Sequence, residues 1–125
     1  MSYYLAIALG GALGAVCRYW LVTLAEHHNS SLFPVGTLTV NVLGSLLIGI
    51  LFVLLTEKIQ AAAYLRPLLQ IGFLGALTTF STFSLDTLLL MQQGMVLPAL
   101  SYITLSVILC ILAAWAGMGL MRFIL

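Results

Sequence analysis

The sequence predicts an all-α integral membrane protein with four transmembrane helices. Three observations carry that expectation: the scarcity of charge, the length of the apolar runs, and the absence of strand-like alternation within them. Of 125 residues, 63% are apolar and 6% are charged, and mean hydropathy is +1.23. A soluble domain carries roughly 25% charged residues, so this chain cannot cover a surface that faces water. Its length accommodates four spans of about 20 residues with short connections. A barrel strand is only about 10 residues long and alternates in character, which these runs do not.

The first span is expected over about 3–25 and contains Arg18, Cys17 and the small-residue spacing Gly10-x-x-x-Gly14. No Lys or Arg precedes it and further spans follow, so it reads as a retained span rather than a signal peptide. The polar run Glu26-His27-His28-Asn29-Ser30-Ser31, closed by Pro34, leads to a second span over about 35–56. Glu57-Lys58 opens a connection that ends near Arg66-Pro67, and a third apolar tract follows over about 68–91. Gln92-Gln93-Gly94 marks a turn, Pro98 suits the first turn of a helix, and the fourth span covers about 99–121. Residues 1–125 thus form a single four-helix membrane domain. No internal repeat is visible, which argues against inverted symmetry within one chain.

An even number of spans places both termini on one side, together with Lys58, Arg66 and Arg122. Positive residues favour the cytoplasm, so both termini are expected inside. The net charge of +1 offers nothing to nucleic acid and no polybasic patch for lipid headgroups; the membrane lipid itself is the surrounding partner. Cys17 and Cys110 both fall in apolar runs, and no spacing suggests a disulfide framework or zinc. His27, His28 and Glu26 read as a solvated connection rather than a metal site.

Chemistry concentrates in the second, third and fourth spans. Thr37, Asn41, Gly44, Ser45 and Gly49 share one face of the second helix. The Asn41 carboxamide is either interhelical glue or a donor that replaces water around a passing anion. In the third span, Gly72 to Ser84 holds five hydroxyl side chains and two glycines in thirteen residues. Polar groups in hydrocarbon must pair or line a wet path. Thr78, Thr79, Ser81, Thr82 and Ser84 compete for backbone hydrogen bonds, and Gly72 and Gly75 weaken the same stretch. The helix is therefore expected to break or kink there, and freed carbonyls could hold a small hard cation. Phe80 and Phe83 share a face, and their positive ring edges could meet an anion. Asp86 follows, the one acid well inside a span; Arg18 is either its partner, a charge at a pore mouth, or a side chain that snorkels to the interface. Tyr102, Ser106 and Cys110 form a polar stripe on the fourth helix, with Thr104 off it.

Three blocks carry a resemblance. They are Gly10-Gly11-Ala12-Leu13-Gly14-Ala15-Val16-Cys17-Arg18-Tyr19, Gly36-Thr37-Leu38-Thr39-Val40-Asn41-Val42-Leu43-Gly44, and Gly72-Phe73-Leu74-Gly75 running into Thr78-Thr79-Phe80-Ser81-Thr82-Phe83. Over essentially the whole chain the sequence resembles the Fluc/CrcB family of microbial fluoride channels. That resemblance implies a subunit that pairs with an inverted copy of itself, an antiparallel homodimer with two fluoride pores in the bacterial plasma membrane. It implies a sodium ion at the dimer centre on backbone carbonyls of Gly75 and Thr78. It implies Phe80 and Phe83 along the pore, Asn41 against fluoride, Arg18 near the mouth, and Tyr102 and Ser106 on a polar track. Members commonly carry a hydroxyl where this chain has Cys110, a poorer donor. An inverted pair fits poorly with the Lys/Arg asymmetry noted above.

The function so implied is passive, selective fluoride export that lowers cytoplasmic fluoride. No side chain suggests coupling to protons or ATP, and no enzyme is expected. A proton-coupled small multidrug exporter shares the size and span count but needs an acid in the first span. A non-transporting subunit of a larger complex would conduct nothing alone.

Overall fold

The computed structural model describes residues 2–59 and 63–125. Part of the expected connection between spans two and three lies outside those residues. Four helical runs are long and apolar enough to cross a membrane: Tyr3–His27, Val35–Lys58, Pro67–Gln92 and Val96–Ile124. The first is α1 (Tyr3–His27), capped by the Ser2 hydroxyl, which accepts the Leu5 N–H. The second is α2 (Val35–Phe52) followed by a π-helical end, Val53–Lys58. The third starts with a π-helical stretch, Pro67–Leu74, passes through the short α3 (Gly75–Leu77), and resumes as α4 (Phe80–Gln92). The fourth is α5 (Val96–Ile124).

The runs extend beyond the purely apolar tracts because their polar ends find partners. Glu26, in the last turn of α1, accepts the Gly36 N–H at 2.7 Å and the Asn29 side-chain amide at 3.1 Å. Its carboxylate thus meets the electropositive start of α2. Arg122 makes a forked pair with Glu57, Nη2 at 2.6 Å and Nε at 3.1 Å, which joins the ends of the second and fourth runs. It is the one ion pair among the described residues; Arg18 and Asp86 do not form one.

α2 packs chiefly on α5, and α1 on the Pro67–Leu74 stretch. Small residues make both contacts possible. A Cβ on Gly14 would stand 2.1 Å from the Phe73 carbonyl oxygen, and one on Gly49 would stand 2.2 Å from that of Ala114. Backbone rests on backbone, which is how helices associate where lipid supplies no hydrophobic drive. The turn after α4 closes through the Gly94 N–H to Met91 and the Met95 N–H to the Leu90 carbonyl, with Gly94 at φ 76°.

A small core of Phe83, Leu90, Ala99 and Tyr102 ties α4 to α5, and Phe33 meets Tyr102 edge-on with centroids 5.5 Å apart. Elsewhere the helices are bare. Within the most apolar window of each span, only 17–28% of residues are buried by the chain itself. Leu13, Val16, Ile111, Trp115 and Phe123 are among the exposed large side chains. A surface this apolar is suited to lipid or to another subunit.

Candidate functional site

The third run changes conformation in mid-span. Thr78 (φ −84°, ψ 155°) and Thr79 (φ −150°, ψ 119°) hold extended backbone between α3 and α4. Side chains stabilise that departure from helix. The Thr78 N–H and hydroxyl both donate to the Leu74 carbonyl, at 3.0 and 2.9 Å. The Thr79 hydroxyl oxygen accepts the Thr82 N–H at 3.2 Å, capping α4, and meets the Thr82 and Ser81 hydroxyls at 3.1 and 3.2 Å.

Asn41 braces the extended pair from α2. Its Oδ1 accepts the Thr79 N–H at 2.7 Å, and its Nδ2 donates to the Thr79 carbonyl at 3.0 Å. Gly44, one turn on, lets Thr78 approach: a Cβ there would lie 2.2 Å from Thr78 Cγ2. Two carbonyls lose their helical donors as a result. The Thr79 N–H turns to Asn41 instead of Gly75, and the Thr82 N–H turns to the Thr79 hydroxyl instead of Thr78. Gly75 and Thr78 are the residues on which the resemblance puts a cation. Carbonyl oxygens released in this way are the right donors for a hard monovalent ion.

Around this interruption lies a cavity of about 430 Å³, bounded by α2, the third run and α5. Asn41, Gly44, Ser45, Gly75, Thr78, Thr79, Phe80, Phe83, Ser106 and Cys110 all line it. Phe80 and Phe83 stand 5.2 Å apart between centroids. Phe83 is 8% exposed, whereas Phe80 is 77% exposed and so lies at the open side.

Ser106 differs from five of the other helical hydroxyls. Thr23, Thr39, Ser84, Thr87 and Thr104 each donate to the carbonyl four residues back. The Ser106 Oγ is buried without a hydrogen-bond partner. Asn41 retains one amide hydrogen, since only one of its two is used by Thr79.

Other expected site residues fall elsewhere. Asn41 is first an interhelical brace, because the extended Thr79 presents both backbone groups to it. Ser81 and Thr82 do not line the cavity; their hydroxyls belong to the Thr79 cap. Tyr102 is fully buried behind Phe83, centroids 5.1 Å apart, and its hydroxyl donates to Asp86 Oδ2 at 3.2 Å. Thr37 is buried beside that hydroxyl. The polar stripe on α5 therefore splits, with Tyr102 serving Asp86 while Ser106 and Cys110 face the cavity. Arg18 sits half-buried on α1, an element that contributes no residue to the lining. One lining residue escaped the sequence reading. Gln70, in the π-helical stretch, has its Nε2 buried without a partner. A carboxamide inside an apolar tract, three residues after Pro67, was the available signal.

The chain is 54% identical over 119 residues to a fluoride-specific ion channel FluC of Hahella chejuensis, covering 95% of this chain and 94% of that protein. It is 50% identical over 118 residues to the protein of the same name from Magnetococcus marinus, covering 94% and 96%. It is 51% identical over 114 residues to that of Pseudoalteromonas translucida, covering 91% and 95%. Residues 5–118 match the family described as CrcB-like protein, Camphor Resistance (CrcB), and the chain belongs to that family.

Proposed function

We propose that this protein is a passive, fluoride-selective channel of the bacterial plasma membrane that lets fluoride leave the cell down its gradient. The observation that carries the reading is near-full-length similarity, with identity at half or more of the aligned positions, to proteins named fluoride-specific ion channels.

Fluoride is small and holds its water tightly, so a pore must replace that water with close donors and still release the ion. Three kinds of donor meet in the cavity: the spare Asn41 amide hydrogen, the Ser106 hydroxyl, and the electropositive start of α4. The Phe80 and Phe83 edges add partial positive charge without a competing acceptor. Tyr102, held by Asp86, and Thr37 beside its hydroxyl continue polar character past the rings. Ser81 and Thr82 act through Thr79 by fixing where α4 begins. Arg18 raises the local anion concentration at a mouth completed by a second subunit. Larger halides are excluded by a path they do not fit.

The extended Thr78–Thr79 pair is read as a functional break in the third helix. In an antiparallel homodimer, the Gly75 and Thr78 carbonyls of both chains would hold a sodium ion at the centre. Bound there, it would supply a fixed positive charge. The bareness of the spans leaves ample surface for that pairing.

Fluoride efflux from liposomes containing only the purified protein tests the reading. Fluoride should pass while chloride does not, and Asn41→Asp should abolish flux. Equal passage of chloride, or undiminished flux in Asn41→Asp, would sink it.

A further inference from the structure

Two buried side-chain polar atoms among the described residues have no hydrogen-bond partner: Ser106 Oγ and Gln70 Nε2. They come from different helical runs, yet both residues line the same cavity. Buried polar groups are nearly always paired, and the pressure to pair is greater in hydrocarbon. Two unpaired donors at one cavity therefore mark places where a partner arrives from outside the chain.

The two donors are separated along the path. The Thr79 end of the third run is pinned to Asn41. Gln70 precedes Thr78 by about two helical turns, which separates it along the run from the Asn41–Thr79 contact. Ile48 and Ile111 line the cavity with it. Cys110, one turn past Ser106 on α5, also lines the cavity, and a thiol is a weak donor. Beyond Ser106, the side-chain donors at the cavity are the Ser45 hydroxyl and the Gln70 carboxamide, and of these Gln70 Nε2 is the one buried without a partner. The π-helical winding of Pro67–Leu74 bears on this, since π turns are frequent at functional sites.

We propose that the Gln70 carboxamide is a second anion-coordinating donor, which receives the ion beyond Ser106 and carries it past the weak donor Cys110. This rests on the fluoride-channel reading above. It makes Gln70 a residue of the conduction path rather than of the fold.

The test is Gln70→Met, which keeps length and volume but removes the amide donor. Efflux from liposomes is read together with the melting temperature and gel-filtration profile of the same preparation. The expected result is a loss of fluoride flux of about tenfold, with the melting temperature unchanged or higher and the elution volume unchanged. A further Cys110→Ser change, which restores a hydroxyl donor on that wall, should recover part of the flux. A loss of less than about threefold overturns the proposal. So does a loss accompanied by a lower melting temperature or a shifted elution, because Gln70 would then be holding the fold or a subunit contact. Should Gln70→Met fail to fold, Gln70→Leu is read by the same criteria. Absence of flux in the unmodified protein would instead refute the channel reading.

Discussion

Asn41 braces Thr79 and, on the proposed reading, also donates to the ion; substitutions separate the two roles. Asn41→Ala leaves the Thr79 N–H and carbonyl unpaired, at about 1–3 kcal/mol for each buried group. It should lower the melting temperature in detergent and abolish flux together. Asn41→Asp keeps an acceptor for the Thr79 N–H but puts negative charge on the path, so flux should fall further than stability. Ser106 and Thr104 offer a matched pair on one helix. Thr104 donates to Leu100, whereas the Ser106 hydroxyl has no partner. Ser106→Ala should cost about tenfold in fluoride flux, the equivalent of one hydrogen bond at the barrier. Thr104→Ala should stay within about twofold of the parent in the same liposome assay.

Helix contacts here are backbone contacts, so their tolerance for added volume is small. A leucine at Gly49 would begin with a Cβ 2.2 Å from the Ala114 carbonyl oxygen. Neither backbone can retreat without parting α2 from α5. Gly49→Leu should cost about 1–3 kcal/mol or more and remove the monodisperse gel-filtration peak. The turn between α4 and α5 fails more gently. Gly94→Ala forces an L-residue to a φ of 76°, at about 1–2 kcal/mol. A lowered melting temperature with unchanged flux per folded protein is the expected outcome, since Gly94 is remote from the cavity lining. The glycine positions in the first two spans were legible as close contacts. Their partners were not, because Gly14 meets Phe73 and Gly49 meets Ala114 only after the chain has folded back.

At the scale of the whole molecule, one chain leaves its cavity open on the Phe80 side and most of its spans bare. Pairing with an inverted copy should close that side. A unique cysteine at Ser30, in a protein with Cys17 and Cys110 replaced, should label from both faces of the cell membrane. Lys58, Arg66 and Arg122 bias the ratio toward termini inside. Labelling from one face alone would rule out the inverted dimer. If sodium joins the two chains through Gly75 and Thr78, exchanging it for a bulky organic cation should lower the melting temperature of the dimer. That shift is measurable without any flux assay.

Hydropathy is a local and additive property, so the four spans, their order and the polar density of the third were all readable along the chain. The resemblance that pointed to fluoride was likewise carried by short contiguous blocks. What a hydroxyl or amide does with its hydrogen is not local. Asn41 is bound to a backbone 38 residues away, and the Tyr102 hydroxyl donates its hydrogen bond to Asp86. Meanwhile Ser106 and Gln70 are left facing a cavity with nothing to bond. In hydrocarbon each donor takes whichever acceptor folding brings within about 3 Å. Only the tertiary structure could decide which donors were consumed by the scaffold and which remained unpaired at the cavity.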